Sequence, residues 1–303
     1  MSTEVVPQKY VFYYYTPSIV AAAIFAVIFA LTTIAHGFQL IRSRTWYFIP
    51  MFIGALMEAI GYVGRIMSHS DKENLGPYIM QSLLLLVAPA LFAASIYMVL
   101  GRLIAYLDAA HHSMIRLNWL TKFFVLGDVL SFMMQGGGGG MMAKATEESA
   151  DLGQKLILGG LFVQLLFFGG FVVVAIRFHT QIVREPTVLA SSLQTGGKNG
   201  WLTLLRVLYG ASALIMVRSI FRVVEYIQGN KGYLMRNEVW LYIFDAVLMA
   251  AAVFLFNLVH PSNVILSEDR KGYTGGEAGL QDVEMQRHHG GRKHRDSENR
   301  QRR

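Results

Sequence analysis

Charged residues inside apolar segments are the part of this sequence best placed to do chemistry. Arg218, Arg222 and Glu225 lie in one such segment, and Glu238 and Asp245 enter the next. An ionised side chain at bilayer depth costs about 2.5–3.5 kcal/mol, so such residues usually face a bundle interior, a partner or water. Arg218 and Glu225 share one helix face with Arg222. This face forms either a structural ion-pair network or a surface that contacts a polar substrate.

The elements that must position these charges are apolar stretches of about 20 residues, the length that spans a bilayer. The chain is 53% hydrophobic and only 16% charged, whereas a soluble domain has about 25% charged residues. Seven stretches are predicted, at about 17–36, 46–67, 77–100, 119–142, 156–178, 202–226 and 239–259. Their short connections predict an all-α membrane protein, a seven-transmembrane helix bundle.

Three segments follow from this division of the chain. Residues 17–260 form the seven-span membrane domain, residues 1–16 an extracellular N-terminal segment, and residues 261–303 a disordered basic cytoplasmic tail. The orientation rests on the basic residues of the tail and of the loops after spans one, three and five, because basic loops stay in the cytoplasm.

The tail carries nine Lys or Arg and seven Asp or Glu residues. Anionic inner-leaflet lipids are its expected partner. Nucleic acid is not expected, because the signs of charge are mixed and no aromatic residue follows Tyr273 to stack on bases.

Polar residues recur in the outer half of six of the seven predicted spans, which predicts a polar cavity that opens outward. Ten of them are candidates for a substrate path: Glu58, Arg65, Gln81, Asp128, Gln135, Gln164, Arg218, Arg222, Glu225 and Asp245. Asp128 is placed near mid-bilayer. Its alternative role is a hydrogen bond to a neighbouring helix.

Five glycines at 136–140 interrupt the predicted fourth span near its outer end. Glycine costs about 1 kcal/mol relative to alanine in a helix, so we expect this span to end loosely there. A phosphate-binding loop is disfavoured, because no strand precedes the run and no Lys-Ser/Thr pair follows it.

Enzymatic and metal chemistry find little support in the sequence. The chain has no cysteine, and residues 239–259 have no lysine for a retinal Schiff base. His36 and His260 lack a third histidine within a span for a zinc site, and the serines of the spans lack a neighbouring histidine. We therefore expect no enzyme activity, no cofactor and no metal.

Several motifs together resemble one family. They are YYTPS at 14–18, EAIGYVGR at 58–65, GPYIMQSLLLLVAPALFAASIYMVLGR at 76–102, GDVLSFMMQGGGGG at 127–140, R-x-x-x-R-x-x-E at 218–225, E-x-x-x-Y-x-F-D at 238–245 and HP at 260–261. In order and spacing they resemble the fungal RTA-like lipid-translocating exporters. The resemblance covers about residues 10–262 and leaves out the tail.

The resemblance implies a transporter of amphipathic lipids, such as sphingoid long-chain bases, that confers tolerance to toxic lipophilic compounds. Its expected partners are membrane lipids or amphipathic small molecules, and its expected location is the plasma membrane. A cationic head group would move along the polar faces while the lipid tail stays in the bilayer. Glu58, Asp128, Glu225 and Asp245 would suit an ammonium group. A seven-span receptor or sensor for an amphipathic ligand is the alternative.

Overall fold

The computed structural model describes residues 17–70, 75–142, 147–193, 200–228 and 232–265, and in these ranges the regular secondary structure is helical. The helices are α1 (Ile19–Ser43), α2 (Ile49–Ser70), α3 (Leu75–Tyr106), α4 (Leu117–Met142), α5 (Glu147–Arg184), α6 (Val188–Ser192), α7 (Trp201–Gln228), α8 (Tyr233–Arg236), α9 (Glu238–Leu241) and α10 (Leu248–Leu258). A π-helical segment, Tyr242–Val247, joins α9 to α10. The predictions for residues 1–16 and 266–303 lie outside the described residues.

Seven helical segments are long and apolar enough to cross a membrane, which confirms the predicted number. They contain α1, α2, α3, α4, α5, α7 and a seventh span, Glu238–Ile265, that runs from α9 through α10. Most extend beyond the predicted spans, and α5 reaches Arg184. The last one extends past the predicted boundary at residue 260, because Val264 packs into the core. The chain is a multi-pass membrane protein.

Local sequence explains where α1 begins and ends. The hydroxyl of Ser18 accepts a hydrogen bond from the amide of Ala21, and so caps one of the donors that a helix start leaves free. Arg44 follows the helix with a φ of 54°. This left-handed conformation stops the helix before the short 3₁₀ turn Trp46–Phe48 that leads into α2.

Consecutive spans pack side by side and close into a ring. Each of α1 to α4 contacts the next helix, α5 contacts α7, α7 contacts α10, and α10 contacts α1. Within this ring α3 also contacts α7, and it is the most buried of the spans. We call the end where α1 begins the N-terminal end of the bundle, and the end where α1 finishes the C-terminal end.

The glycine run does not end the fourth span, and this prediction is wrong. Helix α4 continues through Gly140 to Met142. The reason is close packing on α5: a Cβ atom added at Gly138 would lie 2.5 Å from the carbonyl oxygen of Gly153. Two backbones approach at this point, and tight contacts of this kind through small residues hold membrane helices together.

Candidate functional site

A group of five charged side chains, the charged cluster, lies between α2, α7 and the seventh span. Its members are Glu58, Arg218, Arg222, Glu225 and Asp245. The Nε atom of Arg218 donates to Asp245 Oδ1, and its Nη2 atom donates to the carbonyl oxygen of Leu85 at 2.8 Å. The side chains of Arg218 and Asp245 have almost no exposed surface. The pair therefore joins α7 to the seventh span and to α3.

Arg222 contacts two carboxylates of the cluster, those of Glu225 and Asp245. It lies 2.8 Å from Glu225 on its own helix and 3.4 Å from Asp245. Arg222 is the least buried of the three, with 19% of its side chain exposed. Asp245 is thus shared by two arginines, as the spacing of Arg218 and Arg222 along one helix face allows.

Glu58 is buried but is not paired. It interacts electrostatically with Asp245, Arg218 and Arg222, yet it forms no ion pair within the described residues. Its exposure is 1%, and its Oε1 atom has no hydrogen-bond partner. Tyr62, one helical turn further along α2, is also buried, and its hydroxyl group also lacks a partner.

A second network surrounds the carboxylate of Glu238 at the N-terminal end of the bundle. Arg65 donates to Glu238 Oε1 at 2.8 Å from Nη2 and at 3.1 Å from Nε. The hydroxyl of Tyr242 donates to the same oxygen at 3.0 Å. The amide of Ser18 donates to both carboxylate oxygens, at 3.0 and 2.9 Å. This Glu238 network therefore ties the start of α1 and the end of α2 to the seventh span.

The π-helical segment supplies residues to both networks. Tyr242 faces Arg65, whose guanidinium carbon lies 5.4 Å from the centre of the tyrosine ring, whereas Asp245 faces the two arginines of α7. Tyr242 and Asp245 are three residues apart, and in an α-helix two such residues lie about 60° apart around the axis. A π turn is wider, and such turns occur frequently at functional sites.

Two of the predicted path residues, Gln135 and Gln164, hydrogen-bond to each other across α4 and α5. The side-chain amide of Gln135 donates to Gln164 Oε1 at 3.1 Å and to the hydroxyl of Ser131 at 2.6 Å. Ser131 in turn donates to the carbonyl oxygen of Gly160 at 2.7 Å. These contacts fasten the two helices at a place where glycine lets them approach closely.

Asp128 lies apart from the charged cluster, on the face of α4 that meets α3 and α5. It is buried, with 4% exposure, and neither of its carboxylate oxygens has a hydrogen bond of normal geometry within the described residues. The hydroxyl of Tyr97 interacts electrostatically with this carboxyl group. Aromatic rings surround that tyrosine, with Phe171 at 4.5 Å and Phe124 at 5.5 Å between ring centres.

The ten predicted path residues have little exposed surface in this structure. All except Arg222 are buried, and Arg222 is partly buried. The expected polar cavity that opens outward stays a prediction. Gln81 belongs to this set as a buried residue of α3.

Sequence reasoning did not select several side chains that complete these networks. Tyr62 and Tyr242 each follow a glutamate by four residues, Glu58 and Glu238 respectively, so helical spacing was an available signal. The partnership of Ser18 with Glu238 had no such signal, since the two residues are far apart in the chain.

The C-terminal end of the bundle is built mainly from hydrogen bonds to the main chain. His36 Nε2 contacts the carbonyl oxygen of Val253 at 3.2 Å, and His112 Nε2 contacts that of Glu185 at 3.0 Å. Across the described ranges, no group of three His, Cys, Asp or Glu residues is arranged to hold a metal ion.

Comparison with known proteins shows the family of this sequence. Residues 51–268 match the family described as RTA1 like protein. The chain is 38% identical over 284 residues to Protoporphyrin uptake protein 1 of Saccharomyces cerevisiae, which covers 82% of this chain and 91% of that protein. No solved structure matches the chain.

Other relatives are named for lipids. The probable lipid transporter atnI of Emericella nidulans is 29% identical over 263 residues, covering 84% of this chain and 68% of that protein. The sphingoid long-chain base transporter RSB1 of Saccharomyces cerevisiae is 24% identical over 264 residues, covering 78% and 69%. From the extent of the family match and the identity to its relatives, the chain belongs to the RTA1-like protein family.

Proposed function

We propose that this chain is a transporter that moves amphipathic lipids across a membrane. The observation that carries the proposal is the charged cluster, which places five ionisable side chains inside a seven-span bundle. Burying such groups is costly, and in membrane proteins they usually mark a substrate or ion pathway. The head group of a lipid would pass along these side chains, and its apolar tail would stay in the bilayer.

The names of the relatives support this class of function. Two of them are named as lipid or sphingoid-base transporters, and a third is named for protoporphyrin uptake. Lipids, sphingoid bases and porphyrins are all largely apolar molecules that carry polar groups. For this chain we propose an amphipathic cargo such as a sphingoid long-chain base, and tolerance to toxic lipophilic compounds as the result of its export.

The cluster must open for a head group to enter. Glu58, Arg218 and Asp245 are almost completely buried in this structure, so it represents a closed state. Opening would separate α7 from the seventh span, where the Arg218–Asp245 contact holds them together. The proposed path then consists of the ten predicted residues, which are Glu58, Arg65, Gln81, Asp128, Gln135, Gln164, Arg218, Arg222, Glu225 and Asp245.

A reconstituted system tests the proposal directly. The purified full-length chain is placed in unilamellar vesicles with a fluorescent sphingoid base, and the labelled lipid that remains accessible to a quencher is followed with time. We expect faster movement between leaflets than in empty vesicles. No acceleration, combined with ligand-dependent binding of a partner protein, would support the alternative, a seven-span receptor or sensor for an amphipathic ligand.

The orientation that we propose has the N-terminus outside and the tail in the cytoplasm of the plasma membrane. It rests on the nine basic residues among residues 261–303, which would also contact anionic inner-leaflet lipids. Protease treatment of intact cells should leave a C-terminal tag uncut. Loss of the tag from sealed cells would reverse the orientation.

A further inference from the structure

The charged cluster holds more carboxylates than guanidinium groups. Glu58, Glu225 and Asp245 face only Arg218 and Arg222. Asp245 contacts both arginines, and Glu225 lies 2.8 Å from Arg222. The carboxylate without a partner is therefore Glu58, which forms no ion pair within the described residues.

The other helices packed against α2 do not supply the missing charge. Helix α2 packs against α1 and α3. Apart from histidine, the charged residues of these two helices are Arg42 and Arg102, and both lie towards the C-terminal end of the bundle. Arg65, on α2 itself, is engaged by Glu238 in the separate Glu238 network. These helices therefore give Glu58 no ion-pair partner.

Unsatisfied oxygen atoms accompany this missing charge. Glu58 Oε1, the hydroxyl oxygen of Tyr62 and Asp245 Oδ2 are each buried without a hydrogen-bond partner. Tyr62 interacts electrostatically with both Glu58 and Asp245, so the three belong to one place. The aromatic ring of Tyr62 stacks on Phe29 at 5.7 Å between centres and closes the α1 side. This place offers hydrogen-bond acceptors that no donor satisfies, although Arg222 Nη2 lies 3.4 Å from Asp245 Oδ2.

A buried carboxylate without a counter-ion costs several kcal/mol, so such a group is neutralised. Two ways are open to Glu58. A proton can bind to the carboxylate, or a cationic group can enter the cluster and pair with it. An ammonium group also brings N–H donors for the unsatisfied oxygen atoms. Either species balances the charge, and both together would leave the cluster with a net positive charge.

We propose that Glu58 is an exchange site at which a proton and a cationic group replace each other. In the closed, empty bundle the carboxyl group of Glu58 holds a proton. When an ammonium group enters, the O–H bond breaks, the proton leaves to water, and the carboxylate forms an ion pair with the ammonium. This inference rests on the proposed transport function and adds to it how the cargo is coupled to protons.

Exchange would link transport to the proton gradient without a nucleotide. Protons arriving from the more acidic side occupy Glu58 and release the cationic head group there. On the less acidic side the proton leaves, and a head group binds again. Because one proton is released for each cation bound, binding of the cation must strengthen as the pH rises, by about tenfold per pH unit.

Calorimetry on the full-length chain in a non-ionic detergent tests this inference. Octylammonium is titrated at one pH in two buffers with different enthalpies of ionisation, and the difference gives the number of protons released. We expect about one proton per bound octylammonium for the parent chain. Its affinity should rise about tenfold per unit between about pH 6 and 8, where a primary amine remains protonated.

Matched variants separate the possible causes. Glu58→Gln resembles the protonated acid, so it should bind octylammonium much more weakly than the parent chain. Any binding that remains should release no proton and should not depend on pH. Asp151→Asn removes an exposed carboxylate that pairs with Lys155, and it should behave like the parent chain. Octanol, which is uncharged, should release no proton from any of the three proteins.

The outcomes also distinguish the exchange from the proposed function. Binding of octylammonium by the parent chain without proton release, at an affinity independent of pH, would overturn the exchange. This measurement on the parent chain stands even if Glu58→Gln fails to fold. If labelled lipid still moves in vesicles, the transport function survives that result. If no lipid moves, the transport function fails whatever the proton count.

Discussion

Pro89 and Arg218 are coupled through a single carbonyl oxygen. Proline has no amide hydrogen, so Pro89, inside α3, leaves the carbonyl oxygen of Leu85 without its usual helical donor. Arg218 of α7 donates to that oxygen at 2.8 Å and also donates to Asp245. The proline thus creates an acceptor on the central helix, and the arginine uses it to anchor the charged cluster there.

This coupling predicts that Arg218→Lys destabilises the protein, although lysine keeps the positive charge. Lysine lacks the planar fork that serves Asp245 and Leu85 together, so one buried acceptor is left unsatisfied. This should lower the free energy of unfolding by about 1–3 kcal/mol. Thermal unfolding of the purified protein in detergent would show it as a lower Tm.

In a Pro89→Ala background the same Arg218→Lys change should cost less. The new amide of residue 89 can donate to Leu85, so the carbonyl oxygen no longer depends on Arg218. The two substitutions should therefore be non-additive in a double-mutant cycle. An equal Tm loss from Arg218→Lys in both backgrounds would show that the carbonyl contact contributes nothing.

Glu238→Ala should loosen the start of α1. The carboxylate of Glu238 accepts both hydrogen bonds from the amide of Ser18, so its removal leaves this helix start without that anchor. Hydrogen exchange measured by mass spectrometry should become faster in the peptide that covers residues 17–25. The exposed Asp151→Ala is the control and should leave that peptide unchanged. Equal protection in Glu238→Ala and the parent chain would contradict the role of the network.

Gly138→Ala and Gly139→Ala should have opposite effects on stability. A Cβ atom at Gly138 would lie 2.5 Å from the carbonyl oxygen of Gly153, whereas one at Gly139 would meet no atom within 4 Å. Gly138→Ala should cost about 1–3 kcal/mol, because α4 and α5 must move apart. Gly139→Ala should be neutral or stabilising by up to about 1 kcal/mol, since alanine favours the helix. A similar Tm for both variants would disprove the close contact.

Asp128→Asn should leave expression normal and reduce transport at least about tenfold, which corresponds to about 1.4 kcal/mol on the barrier. Asparagine keeps the size of this buried side chain, which has no hydrogen bond of normal geometry, but it cannot bind or release a proton as a carboxyl group can. The vesicle assay with a labelled sphingoid base measures the rate, and Asp151→Asn is the matched control. Full activity of Asp128→Asn would leave Asp128 a packing residue.

The sequence predicted the number of spans because each one needs about 20 apolar residues, and that requirement is local. It also indicated that Arg218 and Asp245 are buried, since a charge inside such a segment needs a partner. It did not reveal which partner each charge takes. The contacts of Arg218 with Leu85 and of Ser18 with Glu238 join distant parts of the chain, and only packing brings them together.

The glycine run was misread for a related reason. Helix propensity judges residues 136–140 by the cost of glycine in an isolated helix. In the bundle, the same lack of a side chain at Gly138 lets α4 lie against the backbone of α5. A local penalty became a tertiary contact, which a single sequence does not show.

The π-helical segment Tyr242–Val247 gives the seventh span one spare residue between its two halves. Further towards the C-terminal end of the bundle, His36 Nε2 contacts the carbonyl oxygen of Val253, and Gln39 Nε2 donates to the carbonyl oxygen of Asn257. If the wide turn moves along the helix by one residue, only the residue that it passes rotates by about 100° around the axis, while the portions on either side stay in place. Asp245 lies within the wide turn, so such a shift would turn its carboxylate away from the arginines of α7 without moving the rest of the seventh span.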